Sequence, residues 1–144
     1  MQIRRILCAT DFSVSSERAL DRAVELAQGL HSEIHLLHVY QRSVGHSVGF
    51  AHAATLSDYT ALVKRYMDAL EQIASRYSDH SIKIVCVLAE GPAWERIVSK
   101  ANELNADMIV IGRNGRAGLS KLFVGSAALR VVKYSPVPVL TVRM

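Results

Sequence analysis

Residues 109–126 read IVIGRNGRAGLSKLFVGS, and the fold is decided there. The stretch enters as a strand: Met108, Ile109, Val110 and Ile111 form a short unbroken apolar run, the pattern of a strand buried on both faces. It then becomes glycine-rich at Gly112, Gly115, Gly118 and Gly125. Glycine admits positive φ and lets a ligand approach the main chain with no Cβ in the way. Past Ser126 the spacing of Ala128, Leu129, Val131 and Val132 is helical. A strand, a glycine loop and a helix N-terminus make an anion site, because main-chain N–H groups converge there and the helix dipole favours negative charge. Arg113, Arg116 and Lys121 add positive charge, so the expected anion is a phosphate chain.

Two common phosphate loops are excluded. No Gly-Lys pair occurs, so there is no P-loop, and no Gly-x-Gly occurs, so there is no dinucleotide fingerprint. The spacing present is G-x2-G-x9-G-S, carried by Gly112, Gly115, Gly125 and Ser126 and followed by Pro136-Val137-Pro138-Val139. This resembles the ATP-binding branch of the universal stress protein family, where that spacing holds the ribose and triphosphate. A tight turn with a close helix–sheet contact is the purely structural alternative for these glycines.

The chain on either side alternates strand and helix. Strand one is Ile3–Ala9, and Ser13 is placed to cap a helix carrying Leu20, Val24, Ala27 and Leu30 on one face. Asp11 therefore stands at the carboxyl end of a buried strand, the edge where open α/β sheets bind ligands. The alternative role for Asp11 is to stabilise the helix start. Strand two is Glu33–Tyr40; His35 and His38 within it fall on opposite faces and make no metal pair. His38 is expected to be a buried, satisfied histidine.

Residues 41–54 lack apolar periodicity and contain His46 and His52; so long a loop suggests a cover over the ligand or a surface for partners. Helix two spans 56–77 with a stripe of Tyr59, Tyr66 and Tyr77, read as packing. Strand three is Ile82–Leu88. Gly91-Pro92 then opens helix three, with Pro92 in its first turn and Trp94 expected in the core or an interface. Helix four runs over 126–133 and strand five over 137–142. The alternation predicts a single α/β domain, residues 1–144, with an open parallel sheet of five strands and four flanking helices. The resemblance supplies the order 3-2-1-4-5, an architecture of the adenine nucleotide alpha hydrolase-like, Rossmann-like kind.

Composition narrows the function. Half of the residues are hydrophobic and 6% aromatic, which gives an aliphatic core. The formal charge is +4, from 17 basic and 13 acidic residues, with no basic run and few aromatics; nucleic-acid binding has little support. No apolar run approaches the length that spans a membrane. The two cysteines, Cys8 and Cys86, sit in apolar strands and suit a reducing compartment, so the cytoplasm is the expected location.

The resemblance implies that Ala9, Thr10, Asp11, Val39, Gly112, Arg113, Gly115, Arg116, Gly125, Ser126 and Ala127 surround ATP. Val39 would line the adenine pocket and Asp11 would bond the nucleoside, with a magnesium ion within its reach. Arg113-Asn114 departs from the small polar residue or histidine that many members place between the first two glycines. No positioned base accompanies Asp11, so at most slow hydrolysis is expected. The resemblance also implies a homodimer through strand 137–142. A dimeric interaction module without nucleotide is the rival reading. A true hydrolase of the same architecture is disfavoured, because no S-G-G-x-D-S signature occurs.

Overall fold

The computed structural model describes residues 1–41, 56–114 and 125–143. Among the described residues the elements are β1 (Arg5–Thr10), α1 (Val14–Leu30), β2 (Glu33–Tyr40), α2 (Leu56–Ser75), β3 (Ile84–Glu90), α3 (Ala93–Glu103), β4 (Met108–Gly112), α4 (Ser126–Tyr134) and β5 (Val139–Val142), with a 3-10 turn at Ser78–His80. The strands form one sheet in the order β3-β2-β1-β4-β5, and every pairing is parallel. The expected order and element count are both observed.

The sheet is buried on both faces because β1, β2 and β4 are apolar on both. Ile6, Cys8, Ile34, Leu36 and Val110 point to the side covered by Leu20 and Val24 of α1 and Leu70 and Ile73 of α2. Leu7, Ala9, Leu37, Ile109 and Ile111 point to the other side, against Ile97 and Ala101 of α3 and Ala128 and Val131 of α4. Two helices per face is what right-handed crossovers on either side of β1 produce.

Helix α1 begins where expected. The Ser13 hydroxyl accepts from the Ser16 N–H at 3.3 Å, and the apolar positions from Ala19 to Ala27 face the sheet. It stops at His31, whose left-handed φ of 55° lets Ser32 N–H reach the Ala27 carbonyl. Asn105, at φ 50°, ends α3 in the same way, with Ala106 N–H on the Ala101 carbonyl.

Several boundaries differ from the sequence pattern. Helix α2 ends at Ser75, and the Tyr77 hydroxyl instead donates to Asp21 across to α1 at 2.6 Å. Strand β3 starts two residues later than the apolar run, at Ile84. Pro92 is the N-cap of α3 rather than a first-turn residue. Strand β5 begins at Val139, since Pro138 has no N–H to enter the ladder and offers only its carbonyl, to Ile109. Leu30, Leu129 and Val132 share the helical spacing but are exposed.

Cys8 and Cys86 are both free. Each pairs with Leu36 from opposite sides, so two strand spacings of about 4.8 Å separate them, beyond disulfide reach. Full burial pushes the Cys8 thiol up to about 12, which makes it inert. At the amino ends of the strands, Glu33 accepts from Arg5 Nε at 2.6 Å, His35 Nε2 at 3.0 Å and Lys83 Nζ at 3.1 Å. Those donors, His35 foremost, hold its carboxyl down at about 2.

Candidate ligand site

A cavity of about 260 Å³ opens at the carboxyl ends of β1, β2 and β4. β1 and β4 are adjacent while their crossovers leave on opposite faces, so a crevice opens between their ends. Of the residues expected at the ligand, Ala9, Thr10, Asp11, Val39, Gly112, Arg113, Gly125, Ser126 and Ala127 all line it. Gly115 and Arg116 lie outside the described residues, as do the histidines of the 41–54 loop.

The cavity has two chemical halves. Leu37, Val39, Ile97 and Ile111 make an apolar cleft. Asp11, Ser16, Arg113, Asn114 and the start of α4 supply the polar part of the lining. The N-cap of α4, Gly125, offers no side-chain cap, so no side chain among the described residues caps the first N–H groups of that helix. By contrast α1 is capped by Ser13. An uncapped helix start beside an arginine favours an anion, while the cleft favours a flat apolar group.

The glycine loop is tied at both ends. Arg113 N–H donates to Val142 at 2.8 Å and Gly125 N–H donates to Arg113 at 2.6 Å, so residues 113 and 125 sit side by side. Gly112, which lines the cavity, also meets a packing constraint. A Cβ there would lie 2.6 Å from Ser15 Oγ and 2.7 Å from Ser15 O. The Cβ it lacks would enter the first turn of α1. Ser15 is buried, and its hydroxyl accepts from Asn114 N–H at 3.2 Å. At this one glycine the close helix–sheet contact is the physical reason.

Asp11 is not the helix cap; Ser13 is. Asp11 Oδ1 accepts from Ser13 N–H at 3.0 Å, an Asx-type turn that holds the carboxylate at the cavity wall. Thr10 Oγ1 accepts from Phe12 N–H at 3.1 Å and lies 3.1 Å from Ser16 Oγ. His38 is buried, as expected, and its Nδ1 donates to the Thr10 carbonyl at 2.8 Å.

Ser16, Leu37, Ala93, Ile97, Ile111 and Asn114 were not singled out as ligand contacts in the sequence. Ile97 and Ile111 looked only like core, and Ala93 and Ser16 carry no signal without the crossovers that bring helix starts to this edge. Trp94 is half-buried, with its ring 5.0 Å from that of Tyr134.

Among the described residues no three His, Cys, Asp or Glu side chains gather as a metal cage, and no helix is long and apolar enough to cross a membrane.

An open parallel sheet with a crevice at the strand order's reversal defines the class of α/β proteins that bind ligands outside the carboxyl ends of their strands. The chain belongs to the universal stress protein family, whose model matches residues 2–143. A universal stress protein of Methanocaldococcus jannaschii, MJ0531, is 30% identical over 141 residues, covering 97% of this chain and 82% of that one. The solved structure of MJ0577 superposes with a TM-score of 0.81 at 26% identity, over 100% of this chain and 98% of that one. A family protein from Arabidopsis thaliana, solved with AMP bound, shares the fold at a TM-score of 0.67 and 19% identity, over 96% of this chain and 90% of that one.

Proposed function

We propose that this protein binds ATP in the cavity between β1 and β4 and acts as a nucleotide-regulated dimer in a stress or signalling response. The observation that carries the reading is the pairing, in one cavity, of an apolar cleft with an uncapped helix start and Arg113. The adenine lies in the cleft beside Val39, Leu37 and Ile97. The phosphates meet the N–H groups of Ser126 and Ala127 at the start of α4. Asp11 bonds the nucleoside. The AMP held by the Arabidopsis neighbour supports an adenine nucleotide as the ligand class.

A magnesium ion would arrive on the triphosphate rather than in a protein cage, and Asp11 is the carboxylate lining the cavity that could meet it. Among the described residues Asp11 is the one carboxylate that lines the cavity, which suits a binding protein, or a slow ATPase, better than a fast enzyme. The dimer reading rests on β5, an edge strand whose Leu140 is 37% exposed. Antiparallel pairing of two β5 edges by a twofold axis would cover both. Two free thiols are consistent with the cytoplasm.

The test is to denature the purified protein and chromatograph what it releases. ATP recovered in proportion to protein is the expected result. Protein that releases no nucleotide and gives no heat on ATP titration would leave the interaction module without nucleotide as the function.

A further inference from the structure

We propose that Phe12, which does not line the cavity, is a positioning residue for it: packed against His38 and Tyr66 on the far side of the sheet, its ring holds the left-handed turn that aims Asp11 at the ligand. This rests on the nucleotide reading above and adds to it the device that fixes the carboxylate.

Four described non-glycine residues have positive φ: Phe12 at 63°, His31 at 55°, Ser81 at 54° and Asn105 at 50°. His31 and Asn105 close α1 and α3, and Ser81 closes the 3-10 turn, where that conformation is common. Phe12 instead follows the strand that carries the ligand edge, and the left-handed region is unfavourable for a bulky residue. Something must hold it there. The Phe12 ring centroid lies 4.4 Å from that of His38 and stacks on Tyr66 at 6.3 Å with planes 6° apart. His38 in turn lies 4.7 Å from Tyr66, and Tyr40 5.4 Å from it, so the ring joins a packed aromatic group between β2 and α2.

The main chain around Phe12 transmits that grip. Its own N–H is fixed on Thr10 Oγ1, and the Thr10 carbonyl is fixed on His38 Nδ1. The next N–H, that of Ser13, is the one that holds Asp11 Oδ1. An extended φ at residue 12 would swing Ser13 N–H away from Asp11 Oδ1 and loosen the turn that orients the carboxylate. Phe12 thus acts on the ligand through Asp11, while its ring packs in the opposite layer.

A double-mutant cycle on ATP affinity tests this. Phe12→Ala should weaken ATP by about fivefold or more in the native background and by less than about twofold once Asp11→Ala is present, the signature of coupled rather than independent sites. Equal losses in both backgrounds, or none in the first, would overturn the proposal. Amide exchange on the ligand-free protein gives a readout that needs no nucleotide. Ser13 N–H should exchange at least about tenfold faster in Phe12→Ala, while the β1 amides of Leu7 and Cys8 keep their protection. If the native protein binds no ATP, the nucleotide reading falls and Ser13 exchange alone decides: acceleration supports the positioning role and no change refutes it. Should the alanine variant not fold, Phe12→Leu keeps the apolar bulk without the flat ring and is read by the same two measurements.

Discussion

Gly112→Ala should destabilise the protein even with no ligand present, because the missing Cβ faces Ser15. The added carbon would stand 2.7 Å from Ser15 O and 2.8 Å from Ser15 C, and these are main-chain atoms of α1 that cannot rotate aside. Reaching the 3.4 Å of ordinary contact requires the first turn of α1 to retreat by about 0.7 Å. That retreat stretches the Ser15 Oγ bond to Asn114 N–H, already 3.2 Å long. Overpacking of this kind costs about 1–3 kcal/mol, and the lost hydrogen bond about 1 kcal/mol more. For a chain of this size a total of about 2–4 kcal/mol lowers Tm by roughly 5–15 °C. Calorimetric or circular-dichroism melting of the nucleotide-free variant measures it. A Tm within about 2 °C of the native protein, together with lost ATP affinity, would refute the reasoning and return Gly112 to the ligand.

Three further outcomes are expected. Asp11→Ala should weaken ATP about ten- to a hundredfold, the ~1.5–3 kcal/mol of a hydrogen bond to a charged group, and unchanged affinity by titration calorimetry would exclude its bond to the nucleoside. For the dimer, Leu140→Glu is the probe, because Leu140 is exposed at the edge while Val139 packs inward on the α3–α4 side. Light scattering at low micromolar concentration should show a native dimer and a monomeric variant with unchanged helix content, and a monomeric native mass would end the dimer reading. Glu33, held at about 2 by His35, Arg5 and Lys83, contributes stability that is present above the ordinary carboxylate pKa of 4.5 and lost as pH falls towards 2. Glu33→Gln should therefore cost about 1 kcal/mol at pH 7 after solvent screening and flatten the stability curve between pH 4.5 and 2; a curve as steep as the native one would place the acid sensitivity elsewhere.

Periodicity and punctuation determined a great deal here. Unbroken apolar runs at β1, β2 and β4 required a sheet buried on both faces, and the helical stripes between them required parallel crossovers, so the layering followed from local pattern alone. Ser13 as a cap and Asp11 at a strand's carboxyl end were equally local, because a hydroxyl or carboxylate at a helix start acts within a turn of itself. Strand order was not local: it came from resemblance, since alternation permits several arrangements. Tertiary structure alone decided what Gly112 is for, because Ser15 lies 97 positions away in the chain and only the packing of α1 on β4 brings it to that Cβ. The same holds for Ala93 and Ile97 at the cavity and for the left-handed Phe12. Their roles depend on which residues from distant strands and helices meet at one edge, and a one-dimensional pattern carries no record of that meeting.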